Sequence, residues 1–153
     1  MPKVKSVLVT GSNGQLGQSM STISPLYSAY QFTFIGREEL DLTDLDAITD
    51  YLHHKHFDVI INCAAYTAVD QAEQESKLAN AINHLAVKRL AEIAKSQESV
   101  FIHISTDYVF DGSNHTPYIE TELTKPQSVY GVSKFMGERA VQAIVPKGII
   151  IRT

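Results

Sequence analysis

The chain has 153 residues, 44% of them apolar and 20% charged, and a net charge of −4 at neutral pH. That length fits one domain around one core, and the composition excludes a disordered chain. There is no basic run to hold nucleic acid and no apolar stretch near the ~20 residues that cross a bilayer; the single cysteine, Cys63, excludes an internal disulfide. The opening residues, Met1-Pro2-Lys3-Val4-Lys5, run straight into Val7-Leu8-Val9 without the regions of a secretion signal, so the expectation is a cytoplasmic protein with no membrane partner.

Short β-rich runs alternate with longer helical patterns, which predicts an α/β fold: a Rossmann-type doubly wound parallel sheet. The first strand is expected over 4–10 and a helix over 14–23, with Pro25 past its end. Strands follow over 31–35, closed by Gly36, and over 39–42 as a short third one. A helix over 44–54 has Thr43 as its N-cap, and Val59-Ile60-Ile61 reads as a strand buried on both faces. A long helix is predicted over 73–96, a strand over 100–105, a loop over 111–126, a helix over 129–144 and a last strand over 148–152. Ending on a buried-type strand, residues 1–153 read as one domain, the first part of a longer protein.

Thr10-Gly11-Ser12-Asn13-Gly14-Gln15-Leu16-Gly17 joins the first strand to the first helix. Gly11 permits the tight turn, Gly14 lets backbone approach a pyrophosphate, and Gly17 lets helix pack on strand. The purine end of such a cofactor belongs after the second strand, where Arg37 follows Gly36. A guanidinium there suits the 2′-phosphate of NADPH; the neighbouring Glu38 and Glu39 leave Arg37 open between that role and an ordinary solvated charge.

Tyr130 and Lys134 stand four apart, so a helix places them on one face. An ammonium beside a phenol lowers its pKa and readies the pair to exchange a proton with a substrate oxygen. Tyr51 and Lys55 repeat the spacing, but nothing near them indicates a site. Ser105 and Thr106 end a strand, where open α/β sheets bind ligands, and either hydroxyl can hold a carbonyl oxygen. The six histidines form no metal pattern, and none is expected to bind one.

Four blocks occur in order: Gly11-x-x-Gly14-Gln15-x-Gly17; Asn62-Cys63-Ala64-Ala65-Tyr66-Thr67-Ala68-Val69-Asp70-x-x-Glu73; Ser105-Thr106-Asp107-Tyr108-Val109-Phe110-Asp111-Gly112; and Val129-Tyr130-Gly131-x-Ser133-Lys134-x-x-Gly137-Glu138. Across the whole chain they resemble the extended short-chain dehydrogenase/reductases, and within them the reductases of nucleotide-linked keto sugars. The resemblance implies NADPH or NADH as cofactor and reduction of the C4 ketone of dTDP-4-dehydro-L-rhamnose to dTDP-L-rhamnose. It implies a catalytic set of Thr106, Tyr130 and Lys134, with Tyr130 as proton donor and Thr106 and Asp107 on the sugar; Tyr130 and Lys134 also meet the cofactor, Lys134 holding the nicotinamide ribose and lowering the Tyr130 pKa. It places Gly14, Gln15 and Leu16 at the pyrophosphate, Asp41 and Leu42 at the adenine, and Ala65, Tyr66 and Thr67 along the cofactor. Asn83 is open between a brace for that strand and a plain polar helix residue. Cys63 stands where such reductases commonly have alanine and reads as a small buried residue. The smaller substrate domain of such reductases is absent from these 153 residues, and a homodimer is left open. The readings set against a reductase are an epimerase on another nucleotide sugar and a cofactor-binding regulatory subunit of the methionine adenosyltransferase type.

Overall fold

The computed structural model describes residues 4–153; the signal-free start read from residues 1–3 lies outside them. In chain order the elements are β1 (Lys5–Thr10), α1 (Gln15–Ile23), β2 (Tyr30–Ile35), α2 (Leu45–His53), β3 (Val59–Asn62), the short α3 (Val69–Ala72), α4 (Ser76–Asn80), α5 (Ala86–Ser96), β4 (Val100–Ser105), α6 (Val129–Ile144) and β5 (Ile149–Arg152). A π-helical turn, Ala81–Leu85, joins α4 to α5. The five strands form one parallel sheet in the order β2-β1-β3-β4-β5. The chain leaves β1 toward one side and resumes at β3 on the other. Open α/β sheets bind ligands at such a switch point, beyond the carboxyl ends of the strands.

The core lies on one face. Leu8, Ile60 and Phe101, from three adjacent strands, pack against Ile48 and Leu52 of α2, Val87, Leu90 and Ala94 of α5, and Val141 of α6. Burying each large side chain contributes about 1.5–3 kcal/mol. The other face is covered by α1 at one flank, and Val100, Ile149 and Ile151 remain exposed there.

Three expectations need correction. Residues 39–42 form no strand. Glu39 accepts from the Gly36 amide at 2.7 Å, and Asp41 accepts from the amide and hydroxyl of Thr43 at 2.9 and 2.8 Å. These local bonds turn the chain instead of leaving its amides for a ladder. The N-cap of α2 is Asp44, which accepts from Asp46 N and Ala47 N, and not Thr43. The predicted long helix does not begin at Glu73: α3 ends at Ala72 and α4 starts at Ser76. The intervening carboxylates serve other elements, Glu73 accepting from Val129 N at 2.9 Å and Glu75 from the Tyr66 hydroxyl at 2.5 Å.

Candidate active site

A cleft of about 900 Å³ opens at the carboxyl ends of β1, β2 and β3. The glycine turn forms one wall. Gly11 takes φ +72°, and a Cβ there would stand 2.6 Å from Ala64 N, so only glycine fits between β1 and the segment after β3. A Cβ on Gly17 would overlap the Gly11 carbonyl, so this residue packs α1 onto the turn and does not line the cleft. Gly14 is the N-cap of α1, and no side chain caps the helix. The first amides of α1 therefore remain available to an anion, and they adjoin the cleft at Gln15 and Leu16.

Of the cofactor residues expected from sequence, Gly11, Gly14, Gln15, Leu16, Arg37, Asp41, Leu42, Ala65, Tyr66 and Thr67 line this cleft. Arg37 is exposed and 3.7 Å from Asp41, which is too loose to hold the guanidinium. Of the two acids that follow Arg37, Glu39 is committed to the Gly36 amide. Sequence reasoning missed Leu78 and Ile82, which close the far wall from α4 and the π turn; their spacing of four was the available signal. Asn83 is a brace: its Oδ1 accepts from Tyr66 N at 2.8 Å, and its Nδ2 donates to Tyr66 O and to Ser133 Oγ, each at 3.0 Å. One buried amide thus pins the end of β3 to α6.

Thr106, Tyr130 and Lys134 gather at the next strand end rather than in the cleft wall. The bridge to the cleft is Tyr66, which packs against the cluster of Ala72, Ala79 and Tyr130. Helix α6 begins at a Ser128 cap and carries Tyr130, Lys134 and Glu138 on successive turns of one face. Lys134 is 2% exposed, and its Nζ donates to the Ile104 carbonyl at 2.6 Å. Burial pulls the ammonium down to about 8, while the charge of Glu138 works against that shift. Glu138 is itself buried and bound by Arg152 through contacts of 2.9 and 2.7 Å.

The phenol differs from expectation. Burial raises the Tyr130 pKa, a hydrogen bond with Thr106 lowers it, and Asp107 and Tyr108 raise it again; Lys134 is not among these influences. The ammonium is spent on Ile104 O one helical turn away, so Tyr130 keeps its proton at neutral pH. Thr106 also accepts from Tyr108 N at 3.2 Å and so fixes the turn that sets Tyr108 edge-on to Tyr130, with ring centres 5.5 Å apart. Ser105 turns its hydroxyl into the buried layer, so Thr106 is the hydroxyl that meets Tyr130.

The competing pair resolves differently. Lys55 Nζ lies 3.2 Å over the centre of the Tyr51 ring, and Tyr51 packs against the core. That is a cation–π contact at a helix end, away from the cleft. Cys63 lines the cleft half-buried, and burial pushes its thiol up to about 11, which leaves it unreactive. Among the described residues no group of His, Cys, Asp and Glu is arranged to hold a metal, and no helix is long and apolar enough to cross a membrane.

A family model described as the RmlD substrate binding domain matches residues 5–153. The chain is 43% identical to a dTDP-4-dehydrorhamnose reductase of Aggregatibacter actinomycetemcomitans, over 96% of this chain and 50% of that protein. A crystal structure of a dTDP-4-dehydrorhamnose reductase from Clostridium acetobutylicum superposes with a TM-score of 0.91 at 39% identity, covering 96% of this chain and 52% of that one. The Bacillus anthracis reductase, solved in complex with NADP, gives 0.90 at 35% identity, with coverages of 97% and 52%. The chain thus spans about half the length of the relatives it matches.

Proposed function

We propose, for a chain that belongs to the RmlD substrate binding domain family, that residues 1–153 form the cofactor-binding and proton-donating part of a cytoplasmic dTDP-4-dehydrorhamnose reductase. The observation that carries this reading is the pairing of a glycine-turn cleft with a protonated Tyr130 on Thr106, beside a buried Lys134. The cleft fits a dinucleotide: its turn excludes a Cβ at Gly11, and the uncapped start of α1 faces it. Gly14, Gln15 and Leu16 would hold the pyrophosphate, Leu42 and Asp41 the adenine end, and Ala65, Tyr66 and Thr67 the run toward the nicotinamide. Glu39 is bound to backbone, and the exposed Arg37 is available to a 2′-phosphate. The reading is therefore NADPH ahead of NADH.

When bound, the nicotinamide supplies a hydride to the C4 carbon of the keto sugar. Thr106 hydrogen-bonds the ketone oxygen and holds it against the Tyr130 hydroxyl, with Asp107 beside it on the sugar. As the C=O π pair collapses onto oxygen, Tyr130 delivers its proton there, and a secondary alcohol results. The raised pKa of Tyr130 suits a donor that must keep its proton until that moment. Lys134, whose ammonium is seated on the Ile104 carbonyl one turn along the same face, would hold the nicotinamide ribose. The close relatives named above are reductases, which sets aside both the epimerase and the regulatory-subunit readings.

The test is product analysis. The protein carrying this chain, given NADPH and dTDP-4-dehydro-L-rhamnose, is expected to yield dTDP-L-rhamnose by NMR. Recovery of unreacted ketone with cofactor bound contradicts the proposal. A parallel titration of wild type and Arg37→Ala with NADPH and NADH checks the cofactor preference. The ratio of affinities should fall about tenfold in the variant, the scale of one charge-assisted contact.

A further inference from the structure

A polar row lies beneath the cleft and takes no part in the chemistry above. Thr10, Asn62 and His103 are register neighbours across β1, β3 and β4, all of them buried. Thr10 Oγ1 donates to Asn62 Oδ1 at 2.6 Å, and Asn62 Nδ2 donates to His103 Nδ1 at 3.1 Å. An amide NH2 only donates, so Nδ1 accepts and the neutral ring carries its proton on Nε2. Burial first, and then the charge of Lys134, push the imidazole down to about 3, so the ring stays neutral. Nε2 has no hydrogen-bond partner among the described residues. It meets α6 at Gly137, where a Cβ would stand 3.5 Å from it and would overlap the Asn83 carbonyl.

Leaving a buried donor unpartnered costs about 1–3 kcal/mol. A leucine at 103 would fill the layer without that cost, as Ile60 and Phe101 do lower in the same sheet face. What histidine adds is an acceptor for Asn62, which in turn directs the Thr10 hydroxyl. Each member immediately precedes part of the site: Thr10 the glycine turn, Asn62 the Cys63–Ala64–Ala65 wall, and His103 the Ile104 carbonyl that seats Lys134.

We propose that His103 is a positioning residue: through Asn62 and Thr10 it locks the ends of β1, β3 and β4 together, so that the phosphate turn and the Lys134 seat keep one spacing. The affinity part of the test rests on the cofactor reading above; the tautomer part does not.

Two measurements decide it. Long-range ¹H–¹⁵N spectra of the unmodified protein should show one histidine ring as the neutral Nε2–H tautomer from roughly pH 5 to 8, where an unperturbed histidine titrates. A His103 ring that carries its proton on Nδ1, or that titrates in this range, overturns the proposal. NADPH titrations, run well below each variant's melting temperature, should show His103→Leu weakened about tenfold, the scale of one buried hydrogen bond. His103→Asn, whose Oδ1 replaces the Nδ1 acceptor, should stay within about threefold of wild type by the same scale. Equal affinity in all three proteins, or equal loss in both variants, overturns the positioning role. Failure of the unmodified protein to bind NADPH would sink the cofactor reading, and the spectrum would still decide the row. The spectrum also needs no variant to fold.

Discussion

At the residue scale, the sharpest contrast is between two Tyr/Lys pairs of the same spacing. Lys55 lies on the Tyr51 ring, whereas Lys134 is buried on a backbone carbonyl and leaves the Tyr130 phenol to Thr106. Tyr51→Phe should therefore leave turnover within about twofold, because it touches no proton transfer. Histidine titration gives a second expectation. The folded state holds His103 near 3 and His84 also below the ordinary value, in both cases first through burial. Below the unfolded pKa the unfolded chain binds protons that the folded chain refuses. Stability from these groups is then full above about pH 6.5 and is lost as pH falls from there toward 3. Urea midpoints should drop between pH 7 and pH 5, and the slope should shrink in His103→Leu; an unchanged slope contradicts the assignment. The pair spacing was legible in sequence, but the direction of the Tyr130 shift was not, because it depends on burial and on where the ammonium points.

At the element scale, the strands and the glycine turn follow from runs of β-branched residues and from Gly11, whose αL conformation only glycine adopts cheaply. The errors fall where side chains outbid the backbone pattern. Glu39 and Asp41 spend local amides on turns, and Glu73 and Glu75 bond other elements at the break before α4. The π turn was invisible because one extra residue barely disturbs apolar periodicity; what marks it is Asn83, turned onto Tyr66. Replacing the α2 cap, Asp44→Ala, should cost about 1 kcal/mol in urea unfolding, and Thr43→Ala clearly less. The Glu138–Arg152 pair fastens α6, and with it Lys134, to β5. Arg152→Ala leaves a buried carboxylate unpaired and should cost about 3 kcal/mol. A loss below about 1 kcal/mol, the worth of an exposed pair, would mean that the pair behaves as a surface contact.

At the scale of the whole molecule, strand order does the functional work. By sending β2 and β3 to opposite sides of β1, the chain opens a crevice that the glycine turn lines on one side, and β4 and α6 bring Thr106 and Tyr130 to its edge. Alternating strand and helix patterns made that architecture legible, and the order of four motif blocks made the family legible. The polar row under the cleft was not, since Thr10, Asn62 and His103 become neighbours only through sheet register. The account stands on Tyr130 as the proton donor. The direct test is NADPH oxidation followed by absorbance with dTDP-4-dehydro-L-rhamnose, comparing the protein carrying this chain with its Tyr130→Phe variant. The account predicts turnover in the first, a loss of at least about 10²-fold in the second, and unchanged NADPH affinity. Equal turnover in both proteins would contradict it.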